Sequence, residues 1–448
     1  MPSSQVHMPP IAVSLKAQRT NNPIRAIVDN LKPPAAHPKP LLNLALGDPT
    51  AHGLDCPEVL TSAVQEALAS HVANGYLQST GMPAARRAIA HFSSLPLHPV
   101  SENDVIIASG CSGALDLCIS ALLDTGDNLL VPKPGFPLYQ VITESLGAHC
   151  RHYPLLPEKN WEADVPALEA LIDARTRALL INNPSNPTGS TFSAAHLRAL
   201  AAVARRHNLP IIADEIYGGL VYDGVFEAMH VHAAGARAGV DGGEAEEEEA
   251  VVPVICISGI AKEFCVPGWR LGWTICYDGG TGRLDKVKAG MRSLSQLIVG
   301  ANSLIQAALP RLLSPPIGSS DATSLVAWKD KLLTLLRCNA ALVAEACQTV
   351  PELSMSSAPK GAMYAMIRVD CAALRDVCDD GEFCQQLLQA QNLVILPGKV
   401  FGMDGFVRVI TCQRDQSALR EAFVRMGDFC ADRRRAAAGE DGGVVGKG

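Results

Sequence analysis

The sequence predicts an α/β fold, with a mostly parallel β-sheet between helices and a smaller α+β domain. Three observations predict it. From about residue 104 onward, short β-branched runs alternate with helical segments. These runs are apolar throughout, as in strands that are buried on both faces of a parallel sheet. After about residue 325, one long helical stretch and sparser strands replace the alternation, which indicates a second domain.

Hydrophobic periodicity and turn residues define the elements. Helices are predicted at 57–72, at 193–208 with Ser193 as its cap, and at 325–347. Two further helices are predicted, one after the glycine-bearing loop that starts at residue 74 and one directly after the first strand. Strands of the large sheet are predicted at 104–109, 128–132, 177–183, 209–215, 253–259 and 270–277. Strands of the smaller domain are predicted at 361–370, 392–398 and 406–412.

Changes in the pattern of apolar and polar residues along the chain also predict the domain organisation. We expect a flexible arm at 1–20, the first part of the small domain at 21–74, a large ligand-binding domain at 75–325, a small C-terminal domain at 326–432 and a flexible tail at 433–448. Within the large domain, residues 233–250 hold one arginine against six acids and few bulky apolar groups, so we expect a mobile acidic insert. Such a run is typical either of an interaction segment or of a solvated loop.

Composition excludes several classes of function. Hydrophobic residues make up 48% and charged residues 19% of the 448, as expected for a soluble globular protein. The net charge is −7, and most of it lies in the acidic insert, so no basic surplus favours nucleic-acid binding. Since the sequence holds no run of roughly 18 apolar residues, we expect no membrane span.

The fourteen cysteines indicate the compartment. They occur singly in apolar runs and none has C-x-x-C spacing, which predicts buried free thiols in a reducing compartment, with no disulfide and no metal site. The first 28 residues lack acids and carry three basic residues, a weak transit-peptide pattern that Pro9 and Pro10 interrupt. We therefore expect a cytoplasmic protein, with a mitochondrial location as the alternative.

Ligands of an open parallel sheet bind outside the carboxyl ends of its strands. The first such end is followed by GCSG at 110–113, where small residues and exposed N–H groups at a helix start suit a phosphate. The same turn is also typical of a plain helix start. The sequence contains neither G-x-G-x-x-G nor the nucleotide P-loop pattern, which disfavours dinucleotides and nucleoside triphosphates.

Other strand ends carry aromatic and polar residues. Phe136 and Tyr139 follow the second strand, where aromatics either pack in the core or cover a flat ligand. Asn186 lies in a turn before Pro187, a candidate cis peptide bond that would aim its amide. Asp214 ends an apolar strand and needs a cationic or N–H partner when buried.

The stretch SGIAKEFCVPGWRLGW, residues 258–273, supplies an amine. A lysine ringed by apolar residues is costly if charged and unpaired, so Lys262 is either exposed by chance or chemically active. Together the strand ends describe one flat ligand. Its phosphate meets GCSG and Arg270, its cationic ring nitrogen meets Asp214, its ring oxygen meets Asn186 and Tyr217, and its aldehyde meets Lys262. That ligand is pyridoxal 5′-phosphate.

With these residues in place, the chain resembles the fold-type I pyridoxal-phosphate enzymes. Within them it is most similar to the class I/II aminotransferases of the tyrosine aminotransferase type. The resemblance covers about 20–430 and is carried by NNPIRAIVDN, LNLALGDPT, VPKPGFPLY, LLPEKNWEAD, NNPSNPTGS, ADEIYGGLVYDG and VPGWRLGW, in that order. It implies a mostly parallel seven-stranded sheet between helices, with a smaller α+β domain.

The resemblance also implies roles at the cofactor ring. Lys262 would bond covalently to the cofactor aldehyde and later carry a proton. Asp214 would keep the ring nitrogen protonated, while Tyr217 and Asn186 would hydrogen-bond the ring oxygen and Phe136 would stack on the ring. Lys262, Asp214 and Tyr217 are therefore the predicted catalytic residues.

The resemblance further implies how phosphate and substrate are held. The phosphate would be bound by Cys111, Ser112, Gly113, Ser258 and Arg270. Tyr76 would reach the phosphate of a partner subunit, so the resemblance implies a homodimer with shared sites. Arg408 would clamp the substrate α-carboxylate, with Gly47 and Asn186 beside it. Arg283 and Arg292 are candidates for a second carboxylate contact, or are solvent-facing helix residues.

The resulting prediction is a ping-pong transaminase. It would move the amino group of tyrosine, and of other aromatic amino acids or methionine, to a 2-oxo acid such as 2-oxoglutarate or pyruvate. The expected partners are these small molecules and a second copy of the chain, with no nucleic acid and no membrane. The alternatives are a pyridoxal-phosphate lyase of the same fold, a transaminase that prefers alanine, and a non-catalytic binding protein.

Overall fold

The computed structural model describes residues 11–234 and 250–434. The helices are α1 Leu15–Arg19, α2 Pro23–Val28, α3 Glu58–Ser70, α4 Pro83–Ser93, α5 Gly110–Leu122, α6 Leu138–Ser145, α7 Val165–Ala170, α8 Ala194–Arg206, α9 Met229–Ala233, α10 Ile260–Glu263, α11 Asp285–Ser295, α12 Ser303–Leu313, α13 Ser320–Thr349, α14 Asp380–Gln391 and α15 Gln416–Arg433. The strands are β1 Leu42–Asn43, β2 Val105–Ser109, β3 Asn128–Lys133, β4 His149–Leu156, β5 Glu162–Ala163, β6 Thr176–Asn182, β7 Ile211–Asp214, β8 Val254–Gly259, β9 Leu271–Tyr277, β10 Leu353–Ser354, β11 Tyr364–Val369, β12 Leu393–Val394, β13 Leu396–Pro397 and β14 Phe406–Ile410.

The large sheet has the order β2-β9-β8-β7-β6-β3-β4-β5. Neighbouring strands from β8 to β4 pair in parallel, whereas β9 is antiparallel to both β2 and β8. The sheet has eight strands, one more than the seven that the resemblance implies. The eighth, β5, adds two residues antiparallel to β4 at the edge. The prediction of a mostly parallel sheet in an α/β fold is therefore confirmed.

Helices cover both faces of this sheet, and its strands alternate their side chains between one apolar core on one face and two on the other. In β2, Ile106 packs with α5 and α11 residues, while Ile107 points to the opposite face with α4 and α12. In β3, Leu129 and Leu130 divide in the same way between two cores. Burial on both faces explains why these strands are continuous apolar runs in the sequence.

A smaller antiparallel sheet follows, with the order β10-β11-β14-β13. Its core includes side chains of α13, α14 and α15. The N-terminal strand β1 pairs in parallel with β12, so residues 42–43 lie beside residues 393–394. The sheets thus bring the N-terminal segment next to the late part of the chain.

Several local predictions need correction. Residues 392–398, predicted as one strand, form two short strands on either side of Ile395, and these pair in different sheets. The sequence prediction missed β4, whose exposed and half-buried polar residues hide the strand pattern. Within the predicted arm, residues 15–19 form α1. Of the acidic insert, 235–249 lie outside the described residues, as do 435–448 of the tail.

The fourteen cysteines all lie in the described ranges and are thiols, of which eight are buried. Within residues 11–234 and 250–434, the helices are too short or too polar to cross a bilayer.

Candidate active site

A cavity of about 510 Å³ lies at the carboxyl ends of the large-sheet strands, where the small sheet and the N-terminal segment close over it. It is lined by Asn22, Ile24, Arg25, Leu46, Gly47, Asp48, Cys111, Ser112, Leu115, Phe136, Tyr139, Asn182, Asn186, Asp214, Ile216, Tyr217, Ala261, Lys262, Pro267, Gly268, Arg270, Tyr364 and Arg408. Most residues predicted for the site therefore share one cavity, although Gly47 and Arg408 are 361 positions apart in the sequence.

One end of the cavity is built to hold an anion. Helix α5 starts directly after β2, and the side chain of its N-cap residue, Ser109, makes no cap hydrogen bond within the described residues. The first N–H groups of a helix and its dipole attract negative charge. The Arg270 guanidinium lies against Gly110, since a Cβ there would come within 2.5 Å of Arg270 Nη2. Gly110 also has φ +70, so both its backbone and its neighbour favour glycine.

Asp214 ends β7 and is 4% exposed. Its carboxylate accepts hydrogen bonds from the Tyr139 hydroxyl at 2.7 Å and from the Ile216 N–H at 3.3 Å. Burial raises the pKa of Asp214 to about 6, and these hydrogen bonds oppose the rise. A cation placed on this carboxylate would relieve the cost of burying it.

Lys262 follows β8 on the short helix α10 and extends into the cavity. Its Nζ donates a hydrogen bond to the carbonyl oxygen of Gly47 at 2.5 Å. Gly47 also lies against the hydroxyl of Tyr364, because a Cβ there would come within 2.1 Å of that oxygen. The amine is thus held by the backbone of the N-terminal segment, at a position where a side chain would clash.

Arg408, on β14, is 3% exposed. It supplies a cation at the end of the cavity away from the start of α5. Its guanidinium donates to the Asn186 Oδ1 at 2.9 Å and to the Ala45 carbonyl. The rings of Tyr364 and Phe401 lie at 4.3 and 4.6 Å from its guanidinium carbon. Burial lowers the pKa of Arg408 from its usual value. A desolvated guanidinium with fixed orientation is suited to bind a carboxylate.

Two buried tyrosines join these ends. The hydroxyls of Tyr217 and Tyr364 are 2.8 Å apart. Burial raises the pKa of Tyr217 well above its usual range, so its phenol stays protonated. Asn186 is oriented by its N–H, which donates to Asn182 Oδ1 at 2.7 Å, and the Asn186–Pro187 peptide is cis, as predicted.

Some predicted residues lie elsewhere. Gly113, Ser258 and Tyr76 are not among the residues that line this cavity, and Tyr76 is 96% exposed. Arg283 and Arg292 are exposed and donate to loop carbonyls at Val251 and Asn103, so the interpretation as surface arginines fits them.

Part of the site is not marked in the sequence. The sequence places Tyr139 at this edge of the sheet but does not pair it with Asp214, and it predicts no role for Tyr364, Asn182 or the N-terminal Arg25. The only sequence signal for Tyr364 is that it is an aromatic residue with a polar hydroxyl at the start of β11, the strand that pairs with the strand of Arg408. Arg25 carries no signal, because its position in the cavity depends on how α2 packs.

Most of the chain is similar in sequence and in structure to known aminotransferases. Residues 39–426 match the model of the family described as aminotransferase class I and II. Human tyrosine aminotransferase is 38% identical over 425 residues, covering 94% of this chain and 88% of that protein. The tyrosine aminotransferase of Dictyostelium discoideum is 38% identical and covers 94% and 96%. The crystal structure of tyrosine aminotransferase from Leishmania infantum superposes with a TM-score of 0.83 at 33% identity, covering 96% and 100%. The chain belongs to the class I and II aminotransferases.

Proposed function

We propose that this enzyme is a tyrosine transaminase, which moves the amino group of tyrosine to a 2-oxo acid. The observation that carries the proposal is the single cavity that joins the Lys262 amine, the Asp214 carboxylate and the Arg408 guanidinium. The named relatives at 38% identity are tyrosine aminotransferases, which supports the choice of substrate. Phenylalanine and methionine are further donors, because an apolar pocket separates such side chains by only about 1–3 kcal/mol.

The cofactor of this family is pyridoxal 5′-phosphate, and the chemistry of the cavity fits it. The uncapped start of α5 and Arg270 suit the phosphate. The buried Asp214 carboxylate suits a protonated ring nitrogen, which would offset its desolvation. When bound, the cofactor supplies an aldehyde for a covalent bond to an amine and a ring that accepts electrons.

The protein residues then have separate tasks. The Lys262 amine would act as the base that takes the proton from the substrate Cα and later gives it up. Asp214 would hold the proton on the ring nitrogen, and the Tyr217 hydroxyl and the Asn186 amide would donate hydrogen bonds to the ring oxygen. Arg408 fixes the α-carboxylate, which orients the Cα–H bond toward Lys262.

Phosphate and substrate contacts complete the assignment. We assign the phosphate to Cys111 and Ser112 at the start of α5 and to Arg270, all of which line the cavity. Gly113 and Ser258 do not line it, so their assignment to the phosphate rests on the sequence resemblance alone. Burial raises the pKa of the Cys111 thiol well above its usual range, which makes it a neutral neighbour of the phosphate. Phe136 lines the cavity and would cover the ring face.

We propose that two copies form the working enzyme. Tyr76 is 96% exposed, and the neighbouring loop exposes Leu297, Ile298 and Val299 by 80%, 59% and 52%. The two segments are joined by the Ser303 hydroxyl, which donates to the Ala73 carbonyl at 2.6 Å. An exposed apolar surface of this kind favours a protein interface. Sedimentation of the purified protein tests this: a monomer at micromolar concentration would contradict it.

We also propose a division into two domains and a location in the cell. The parallel pairing of β1 with β12 supports a small domain built from 21–74 and 326–432, with 75–325 as the large domain. Eight buried thiols support a reducing compartment, and we propose the cytoplasm, with mitochondria as the alternative. Cell fractionation distinguishes the two locations.

A panel of amino acids tests the reaction. Tyrosine alone should convert the bound cofactor to its amine form, seen as loss of visible absorbance, and a 2-oxo acid such as 2-oxoglutarate or pyruvate should restore it. Release of ammonia without this conversion would instead indicate the lyase. A faster half-reaction with alanine than with tyrosine would overturn the substrate assignment.

A further inference from the structure

We propose that Tyr364 is a positioning residue, whose hydroxyl donates to Tyr217 and so turns the Tyr217 proton toward the ring oxygen of the cofactor. This inference rests on the proposed role of Tyr217. It concerns a residue of the small sheet that touches both ends of the cavity.

The position of Tyr364 is fixed on every side. It starts β11, is 2% exposed and lines the cavity. Its hydroxyl lies 2.8 Å from the Tyr217 hydroxyl, and the two rings meet edge to face with centroids 5.7 Å apart. On another side the hydroxyl lies against Gly47, where a Cβ would come within 2.1 Å. A side chain packed in this way has a single place for its hydroxyl.

The direction of the Tyr217–Tyr364 hydrogen bond determines what Tyr217 can do. A phenol carries one proton, so it donates one hydrogen bond while its oxygen accepts others. If Tyr217 donated to Tyr364, no proton would be left for the ring oxygen. When Tyr364 donates instead, the Tyr217 proton is free to point to the cofactor. A phenol that accepts a hydrogen bond is also a stronger donor, since hydrogen bonds in a chain polarise each other.

Tyr364 also links this donor to the substrate side. The Arg408 guanidinium lies on the face of its ring at 4.3 Å. The ring supports Arg408 and the hydroxyl serves Tyr217, so the two tasks belong to different atoms of one side chain. Removing the oxygen alone therefore separates them.

The test uses holoenzyme with Tyr364→Phe, Tyr217→Phe and the double variant. The measurement is the pH at which the visible absorbance of the bound cofactor titrates, since donation to the ring oxygen lowers this pH. Tyr217→Phe should raise it by roughly 1–2 units, the effect of a lost hydrogen bond to a charged oxygen. Tyr364→Phe should raise it by roughly 0.3–0.6 units, a fraction of that effect.

The double variant decides whether Tyr364 acts through Tyr217. It should titrate at the same pH as Tyr217→Phe alone. Additive shifts, or an unshifted Tyr364→Phe, would overturn the inference and leave the proposed function standing. An unshifted Tyr217→Phe would overturn the inference together with the proposed role of Tyr217. Because the ring remains, Tyr364→Phe should also change the half-saturating tyrosine concentration less than about threefold. A larger rise without a spectral shift would assign the hydroxyl to the carboxylate side and contradict the inference.

Discussion

The two walls of the cavity are built in different ways. The large-sheet wall, which comprises Ser112, Asp214, Lys262 and Arg270, takes each residue from a separate strand end or loop. The small-sheet wall, which comprises Tyr364 and Arg408, takes both residues from the adjacent strands β11 and β14. Lys262 is held by one carbonyl oxygen, whereas Arg408 has two hydrogen-bond acceptors and two aromatic rings around it.

This difference suggests a division of labour. Residues on separate loops can each meet one atom group of a cofactor, and replacing one leaves the others in place. Residues on paired strands share their packing, so they orient one substrate group as a unit. Variants of the large-sheet wall should therefore alter cofactor chemistry or binding, and variants of Arg408 in the small-sheet wall should alter substrate affinity. The Tyr364 hydroxyl is the exception in that wall, because it contacts Tyr217 of the large sheet.

The largest effect is expected for Lys262→Ala. Removal of the amine takes away both the covalent link and the proton carrier, so turnover should fall by roughly 10⁴-fold or more. Steady-state transamination of tyrosine measures this, with Lys331→Ala on the exposed face of α13 as the matched lysine control. Turnover within tenfold of the native rate would show that a base other than Lys262 removes the proton from the substrate.

A second prediction concerns pH and the buried Asp214. Its pKa is raised to about 6 in the fold, so its charged form is disfavoured there. The cofactor-free protein should therefore lose stability as pH rises from about 4 to about 6, by at most about 3 kcal/mol from this group. Urea unfolding at pH 4 and pH 7 measures it.

Asp214→Asn provides the matched comparison for this loss. The amide does not titrate, so the variant should gain stability relative to the native protein at pH 7 and much less at pH 4. An equal difference at both pH values would mean that the carboxylate is ionised at no cost, contrary to its burial.

Arg408→Lys tests the small-sheet wall. Lysine keeps the charge but cannot form the two parallel hydrogen bonds of a guanidinium. We expect kcat/KM for tyrosine to fall roughly 10–100-fold, while the cofactor stays bound with its normal absorbance. Arg414→Lys, at an exposed pair with Asp55, is the control. Loss of the cofactor from the Arg408 variant would contradict the division between the walls.

Arg270→Lys should have a smaller effect, and this effect should be on cofactor affinity instead of on the use of tyrosine. The helix start at α5 still meets the phosphate, so cofactor affinity should weaken only about tenfold. At saturating cofactor, KM for tyrosine should stay unchanged. Equilibrium dialysis of the cofactor and steady-state kinetics separate the two quantities. A raised KM with normal cofactor affinity would place Arg270 on the substrate side.

The sequence predicts the large-sheet wall far better than the small-sheet wall. Lys262 and Asp214 follow buried β-branched runs, and the carboxyl ends of parallel strands must meet at one edge. Tyr364 has no such marker, because its contact with Tyr217 joins two sheets across 147 positions. The long apolar strands were predicted close to their bounds, whereas β4 was missed because its exposed and half-buried polar residues interrupt the apolar pattern.

The division of 392–398 into β12 and β13 illustrates the other limit of sequence reasoning. Both halves are apolar and buried, so the pattern indicates a single strand. Only the partners, β1 on one side and β14 on the other, separate them. Register between distant segments is a property of the packed fold.

The most direct test of the account is to map the covalent bond between protein and cofactor. The native protein, loaded with pyridoxal 5′-phosphate, is reduced with borohydride, digested and analysed by mass spectrometry. We expect the phosphopyridoxyl group on Lys262, and we expect this modification to be absent from Lys262→Ala. Attachment to a different lysine, or a loaded protein that borohydride leaves unmodified, would contradict it.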